Sequence, residues 1–130
     1  MRAGFAVLPI AAGLAACATQ PPPGTGWSRA PDLSVYTAML QFGDVAREQS
    51  VLCGGFATAS VDSHWRRDFA FRTDAVTRAL VARHGAAAVT AAEAAAAPTR
   101  RVGCRDLPNG RWRNHYSRLL RLLETRLGMA

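Results

Sequence analysis

The chain contains no lysine; all 16 of its basic side chains are arginine. With so many alanines beside them, that absence points to a GC-rich coding bias. It weakens any claim that arginine was selected at each site for its planar fork. Long apolar runs are missing too. The apolar stretch Ala3 to Ala16 is shorter than the about 20 residues that a spanning helix needs. No segment alternates apolar and polar residues between turn signals, so β-structure is not expected. No HExxH, GxSxG, phosphate-loop or glycine-rich dinucleotide signature occurs. Cysteine is sparse, at positions 17, 53 and 104 only. None has a second ligand at CxxC spacing, and His64, His84 and His115 form no ligand motif. No metal or other cofactor is therefore expected.

What is present begins at the start of the chain. Arg2 is followed by the uncharged Ala3 to Ala16 and then by Cys17. A charged start, an apolar middle and small residues at the end make the shape of a secretory signal peptide. The end of it, Leu14-Ala15-Ala16-Cys17, resembles the lipobox of bacterial lipoproteins. That resemblance implies that the Cys17 thiol receives a diacylglyceryl group and that cleavage leaves Cys17 as the first residue. Acylation of its amino group would follow. One acyl chain binds a membrane marginally, at about 0.8 kcal/mol per buried CH₂, whereas two or more anchor it stably. Ala18 rather than Asp follows Cys17, which in that family implies sorting to the outer membrane, facing the periplasm. A second route stays open. Ala16-Cys17-Ala18 also fits ordinary small-x-small cleavage, which would release a soluble periplasmic protein. The resemblance covers the leader alone.

The expected organisation has three parts: a signal peptide at 1–16, a lipidated cysteine and flexible tether at 17–31, and a helical domain at 32–130. Removing 16 of the 130 residues leaves 114, enough for one small domain. Pro21-Pro22-Pro23-Gly24-Thr25-Gly26 cannot enter a helix or sheet interior and reads as extended linker. Trp27 is expected to pack on the domain, the alternative being a place at the lipid surface.

The domain reads as all-α, a small bundle of three to five helices. A first helix is expected from the cap residue Asp32, carrying Leu33, Tyr36, Met39 and Leu40 at helical spacing, with an interruption at Gly43-Asp44. It resumes from Val45 to Cys53 and stops at Gly54-Gly55. A second spans Ser60 to His84, with Val61, Trp65, Phe69, Val76 and Leu80 in one stripe. Phe71 lies off that stripe, which predicts a break near Thr73-Asp74. Asp62/Arg66, Asp68/Arg72 and Asp74/Arg78 are spaced as helix-face ion pairs, each worth about 0.2–0.5 kcal/mol. The alanine-rich Ala86 to Ala97 predicts a short helix, either packed very close to a neighbour or frayed on the surface. After a Pro98 to Gly110 loop, Arg111 to Leu127 has the cleanest pattern: Trp112, Tyr116, Leu119, Leu120, Leu123 and Leu127 on one side.

In an oxidising envelope, Cys53 and Cys104 are expected to close the bundle with a disulfide, the alternative being two buried thiols. Charge is uneven. Residues 17–97 hold seven arginines and seven acids, whereas 98–130 hold eight arginines and two acids. Arg100, Arg101, Arg105, Arg111, Arg118 and Arg121 are the candidate anion-binding surface. In the envelope its counterpart would be anionic lipid, an anionic glycan or an acidic protein, not nucleic acid. The bland reading is a solvated helix face. The function expected is thus a non-catalytic envelope lipoprotein with a small binding or scaffold domain. The alternative is a small periplasmic enzyme or enzyme inhibitor; the enzyme would need His64, His84 or His115 gathered in a pocket with a carboxylate.

Overall fold

Apolar residues recurring every three or four positions give α4 (Arg111–Arg126) a continuous buried side of Trp112, Tyr116, Leu119, Leu120 and Leu123. Its main partner is α1 (Asp32–Leu52), which also touches α2 (Thr58–His84) and α3 (Ala86–Ala95). The computed structural model describes residues 25–97, 104 and 111–129, and no strand occurs among them. The domain is all-helical, with four α-helices among the described residues and a 3₁₀ turn, Thr25–Arg29, ahead of α1. None of these helices is long and apolar enough to cross a membrane.

α1 is the central helix. Val35, Tyr36, Met39, Phe42 and Val45 are buried on it, each apolar side chain contributing about 1.5–3 kcal/mol when fully covered. Pro31 occupies the N-cap and Asp32 is the first helical residue, where a carboxylate is favoured by the helix dipole. The expected interruption at Gly43-Asp44 is absent, and the helix runs unbroken for 21 residues. Gly43 has a packing role instead. A Cβ there would lie 3.0 Å from two ring carbons of Tyr116 and 3.2 Å from the Trp65 ring. The absent side chain lets α2 and α4 press their rings onto the α1 backbone, against a helix-propensity cost of about 1 kcal/mol. At the other end the Gly54-Gly55 corner stops α1 as expected. Gly55 has φ +70°, and a Cβ on Gly54 would meet the Ser50 carbonyl at 2.7 Å.

α2 also runs unbroken, over 27 residues, through the expected break at Thr73-Asp74. Phe71 is off the stripe because it faces solvent, 85% exposed, and not because a new helix starts. Thr73 and Thr77 are one turn apart and take up the two buried tyrosines. Tyr36 Oη is 2.9 Å from Thr77 Oγ1, and Tyr116 Oη is 2.5 Å from Thr73 Oγ1. Thr77 in turn donates to the Thr73 carbonyl at 2.9 Å. This ladder satisfies polar groups that burial would otherwise penalise, and it joins α1, α2 and α4.

α3 adopts the close-packed alternative. Val89, Ala92 and Ala96 are buried, and Thr37 of α1 donates to the Ala92 carbonyl at 2.9 Å. Small side chains permit that approach between backbones. α4 ends at Gly128 in a Schellman arrangement: Met129 N–H donates to Glu124 O at 2.8 Å and Gly128 N–H to Thr125 O at 3.2 Å. These bonds satisfy otherwise orphaned carbonyls.

The segment ahead of α1 differs from the expected tether. Trp27 packs against the core. Arg126, in the last turn of α4, donates to the carbonyls of Trp27 (2.9 Å), Ser28 (2.7 Å) and Ala30 (2.6 Å). It also reaches Asp32 Oδ1 at 3.3 Å. The folded part thus begins ahead of residue 32, because a guanidinium with several donors gathers the carbonyls of the turn. Cys17, the leader and the proline run lie outside the described residues.

Candidate functional site

Among the described residues, Arg47, Arg67, Arg72, Arg83, Arg113 and Arg126 are engaged in ion pairs within the fold. Arg72 bonds Glu124 through two nitrogens, joining α2 to α4. Arg113 donates to Asp68 Oδ2 at 2.8 Å and lies 4.7 Å above the Phe69 ring. Arg47 pairs with Asp44 at 2.5 Å and covers Trp65 at 5.6 Å. The expected Asp62/Arg66, Asp68/Arg72 and Asp74/Arg78 pairs are not made. Asp68 is taken by Arg67 and Arg113, and Arg72 by Glu124. For Asp68 and Arg72, partners on another helix or next in the chain replace those one turn away.

Three α4 arginines are left over. Arg111, Arg118 and Arg121 are exposed on the side opposite the buried leucines and make no ion pair among the described residues. Arg66 and Arg78 on α2 are also unpaired, but Asp62 and Asp74 lie one turn from them. α4 has only Glu124, which Arg72 occupies. Arg100, Arg101 and Arg105 lie outside the described residues, so half of the candidate surface is placed on one helix face.

The internal pairs set an acid limit. Hydrogen bonding from Arg72 holds the Glu124 carboxyl below its ordinary 4.5. Arg67, then Arg113, hold Asp68 down to about 2. Burial pushes Asp32 up, but His84, Arg126 and Arg83 outweigh it and the net direction is down. Each folded-state pKa lies below its unfolded value. The stabilisation is therefore whole above the ordinary carboxylate range and is lost as pH falls through the folded values. Thermal midpoints should drop between pH 4.5 and about 2, and Glu124→Gln should flatten the upper part of that fall. A midpoint indifferent to pH there would remove these pairs from the account.

Cys53 and Cys104 form a disulfide with Cα atoms 5.5 Å apart. It ties the C-cap of α1 to the segment between α3 and α4, closing a sequence separation of 51 residues that contains α2 and α3.

Beside this corner lies a cleft of about 530 Å³ between the end of α1 and the starts of α2 and α4. Ala46, Val61, Trp65 and Trp112 give it apolar walls, and Phe56, 61% exposed, stands at its lip. Gln49 also lines it. That side chain is 2% exposed, and neither its Oε1 nor its Nε2 has a hydrogen-bond partner among the described residues. Trp112 Nε1, buried in the same wall, is also unpartnered among the described residues. Gln49 was not among the residues expected to form a site. The available signal was its place seven residues after Phe42 and four after Val45, a polar residue on a buried stripe.

The three histidines do not converge on a carboxylate cluster. His64 Nδ1 bonds the Ser60 carbonyl at 2.7 Å at the cleft rim. His84, 20 positions along the same helix and so about 30 Å away, lies 3.2 Å from Asp32 Oδ2. His115 is half-buried against Phe42 and Trp112. Burial, then Arg118 and Arg111, lower its pKa and favour the neutral ring. Among the described residues no group of three His, Cys, Asp or Glu is placed to hold a metal ion.

Together these features define a disulfide-linked helical domain with an exposed arginine face and an apolar cleft. The chain matches no protein-family model, no curated protein and no solved structure.

Proposed function

We propose that this chain is the precursor of a cell-envelope lipoprotein. In this reading it is anchored through lipid on Cys17, faces the periplasm from the outer membrane, and carries a non-catalytic helical binding domain. The domain binds an anionic envelope component through Arg111, Arg118 and Arg121, with Arg100, Arg101 and Arg105 adding charge from the preceding segment. The observation that carries this reading is the contrast within α4. Arg113 and Arg126 are consumed by internal partners, whereas the other three are exposed and unpaired among the described residues. Guanidinium forks suit phosphate and carboxylate, and each basic residue near an anionic surface is worth about 1 kcal/mol.

The test uses a Cys17→Ser form, which removes the anchor and leaves the described residues as they are. Sedimentation with vesicles containing phosphatidylglycerol should fall with rising salt. Arg111→Glu, Arg118→Glu and Arg121→Glu together should weaken it by about 100-fold while circular dichroism stays helical. Association that ignores both salt and charge reversal would sink the arginine-face reading. The anchor is tested separately, by intact mass of the membrane fraction. A lipidated species beginning at Cys17 is expected, and a soluble species cut after Ala18 would count against it.

A further inference from the structure

Gln49 is the feature that the fold does not account for. Burying an amide with no partner is unfavourable, and at 2% exposure both ends of this one are unmatched among the described residues. A leucine or methionine would fill the same space without that penalty. Trp112 Nε1–H adds a third unmatched group in the wall of the same cleft. The three together present one acceptor and two kinds of donor. That is the complement of a secondary amide, which offers both an N–H and a C=O.

We propose that this cleft binds a peptide segment. An apolar side chain of the segment fills the space among Phe56, Val61, Trp65 and Trp112, and its backbone amide pairs with Gln49 and Trp112. The wall chemistry favours a peptide over a sugar that carries an acetamido group. Sugar binding leans on a broad free indole face, and Trp112, 7% exposed, offers little of one. Trp65 packs against Phe69, Tyr116 and Arg47, and Trp112 against Phe42 and His115. The cleft volume of about 530 Å³ is in the range of small-ligand sites and admits an aromatic side chain with its flanking amides. Binding would require Gln49, 2% exposed, to turn its amide toward the cleft that it lines. The proposal stands apart from the arginine face, since it uses none of Arg111, Arg118 or Arg121.

The experiment is a nuclear magnetic resonance titration of the disulfide-intact Cys17→Ser chain, following the Trp112 indole N–H and the Gln49 side-chain NH₂. Three probes are compared: N-acetylphenylalaninamide, N-acetylglycinamide, which lacks the apolar side chain, and N-acetylglucosamine. The first should move both resonances at concentrations where the other two do not. Gln49→Met should weaken its binding by about tenfold or more while the thermal midpoint holds or rises. A first probe that leaves both resonances in place overturns the proposal. So does N-acetylglucosamine moving them as strongly, or Gln49→Met binding as well as the parent.

Discussion

Replacing Tyr116 with alanine should cost the domain about 3–5 kcal/mol, the range for removing a large aromatic from a packed core. Tyr116 is 2% exposed and sits where three helices meet. Its ring lies over Gly43 of α1 and 4.7 Å and 4.9 Å from Trp65 and Phe69 of α2. Its hydroxyl meets Thr73. Alanine removes all of these contacts, and the glycine beneath has no side chain with which to refill the space. In a domain of this size the thermal midpoint should fall by about 15 °C or more. Tyr116→Phe keeps the ring and loses only the bond to Thr73, so about 1 kcal/mol is expected. Urea unfolding followed by the helical circular dichroism signal separates the two. A Tyr116→Ala loss no larger than that of Tyr116→Phe would show that the ring cluster contributes little.

Losing the disulfide should be the next largest effect. Cys53→Ser with Cys104→Ser, or reduction of the parent chain, should lower stability by about 2–4 kcal/mol and the midpoint by about 10–20 °C. The separation of 51 residues spans two whole helices, so the unfolded chain gains much freedom when the link is cut. Thermal melts with and without reductant measure this directly, and coincident curves would refute it. The helices should persist at low temperature in both forms, because the buried core lies mainly along α1 and α4, away from the corner.

How far these features could be read from the residues depended on whether their cause was local. α4 was legible because its six apolar positions keep helical spacing without a glycine or proline inside. The stops at Gly54-Gly55 and Gly128 were legible because they are backbone chemistry. Gly43 and Thr73 were misread as breaks for the converse reason. Gly43 makes room for a tyrosine ring on another helix, and the off-stripe Phe71 that suggested the second break faces solvent; spacing along one helix distinguishes neither from an interruption. The Asp68/Arg72 pair failed likewise, since Arg113 and Glu124 reach Asp68 and Arg72 from α4; Asp62/Arg66 and Asp74/Arg78 have no such competitor among the described residues. Trp27 was placed on the domain correctly, but the turn around it depends on Arg126, about a hundred residues later in the chain. The arginine face was legible as composition. Its division into engaged and unpaired side chains required the fold.

Arg126 fastens the entry turn to the last turn of α4, and this gives the domain two functionally different poles. The chain enters at one pole, where Asp32 starts α1 and His84 ends α2. The disulfide corner and the cleft lie at the other, separated from it by the 21 residues of α1, about 30 Å of helix. An anchor at Cys17 would pull on the first pole only. Tension along the linker would be met by the guanidinium of Arg126 and its carbonyls before reaching the core, and the disulfide would carry none of it. Whatever the cleft holds would be presented at the pole opposite the chain's entry.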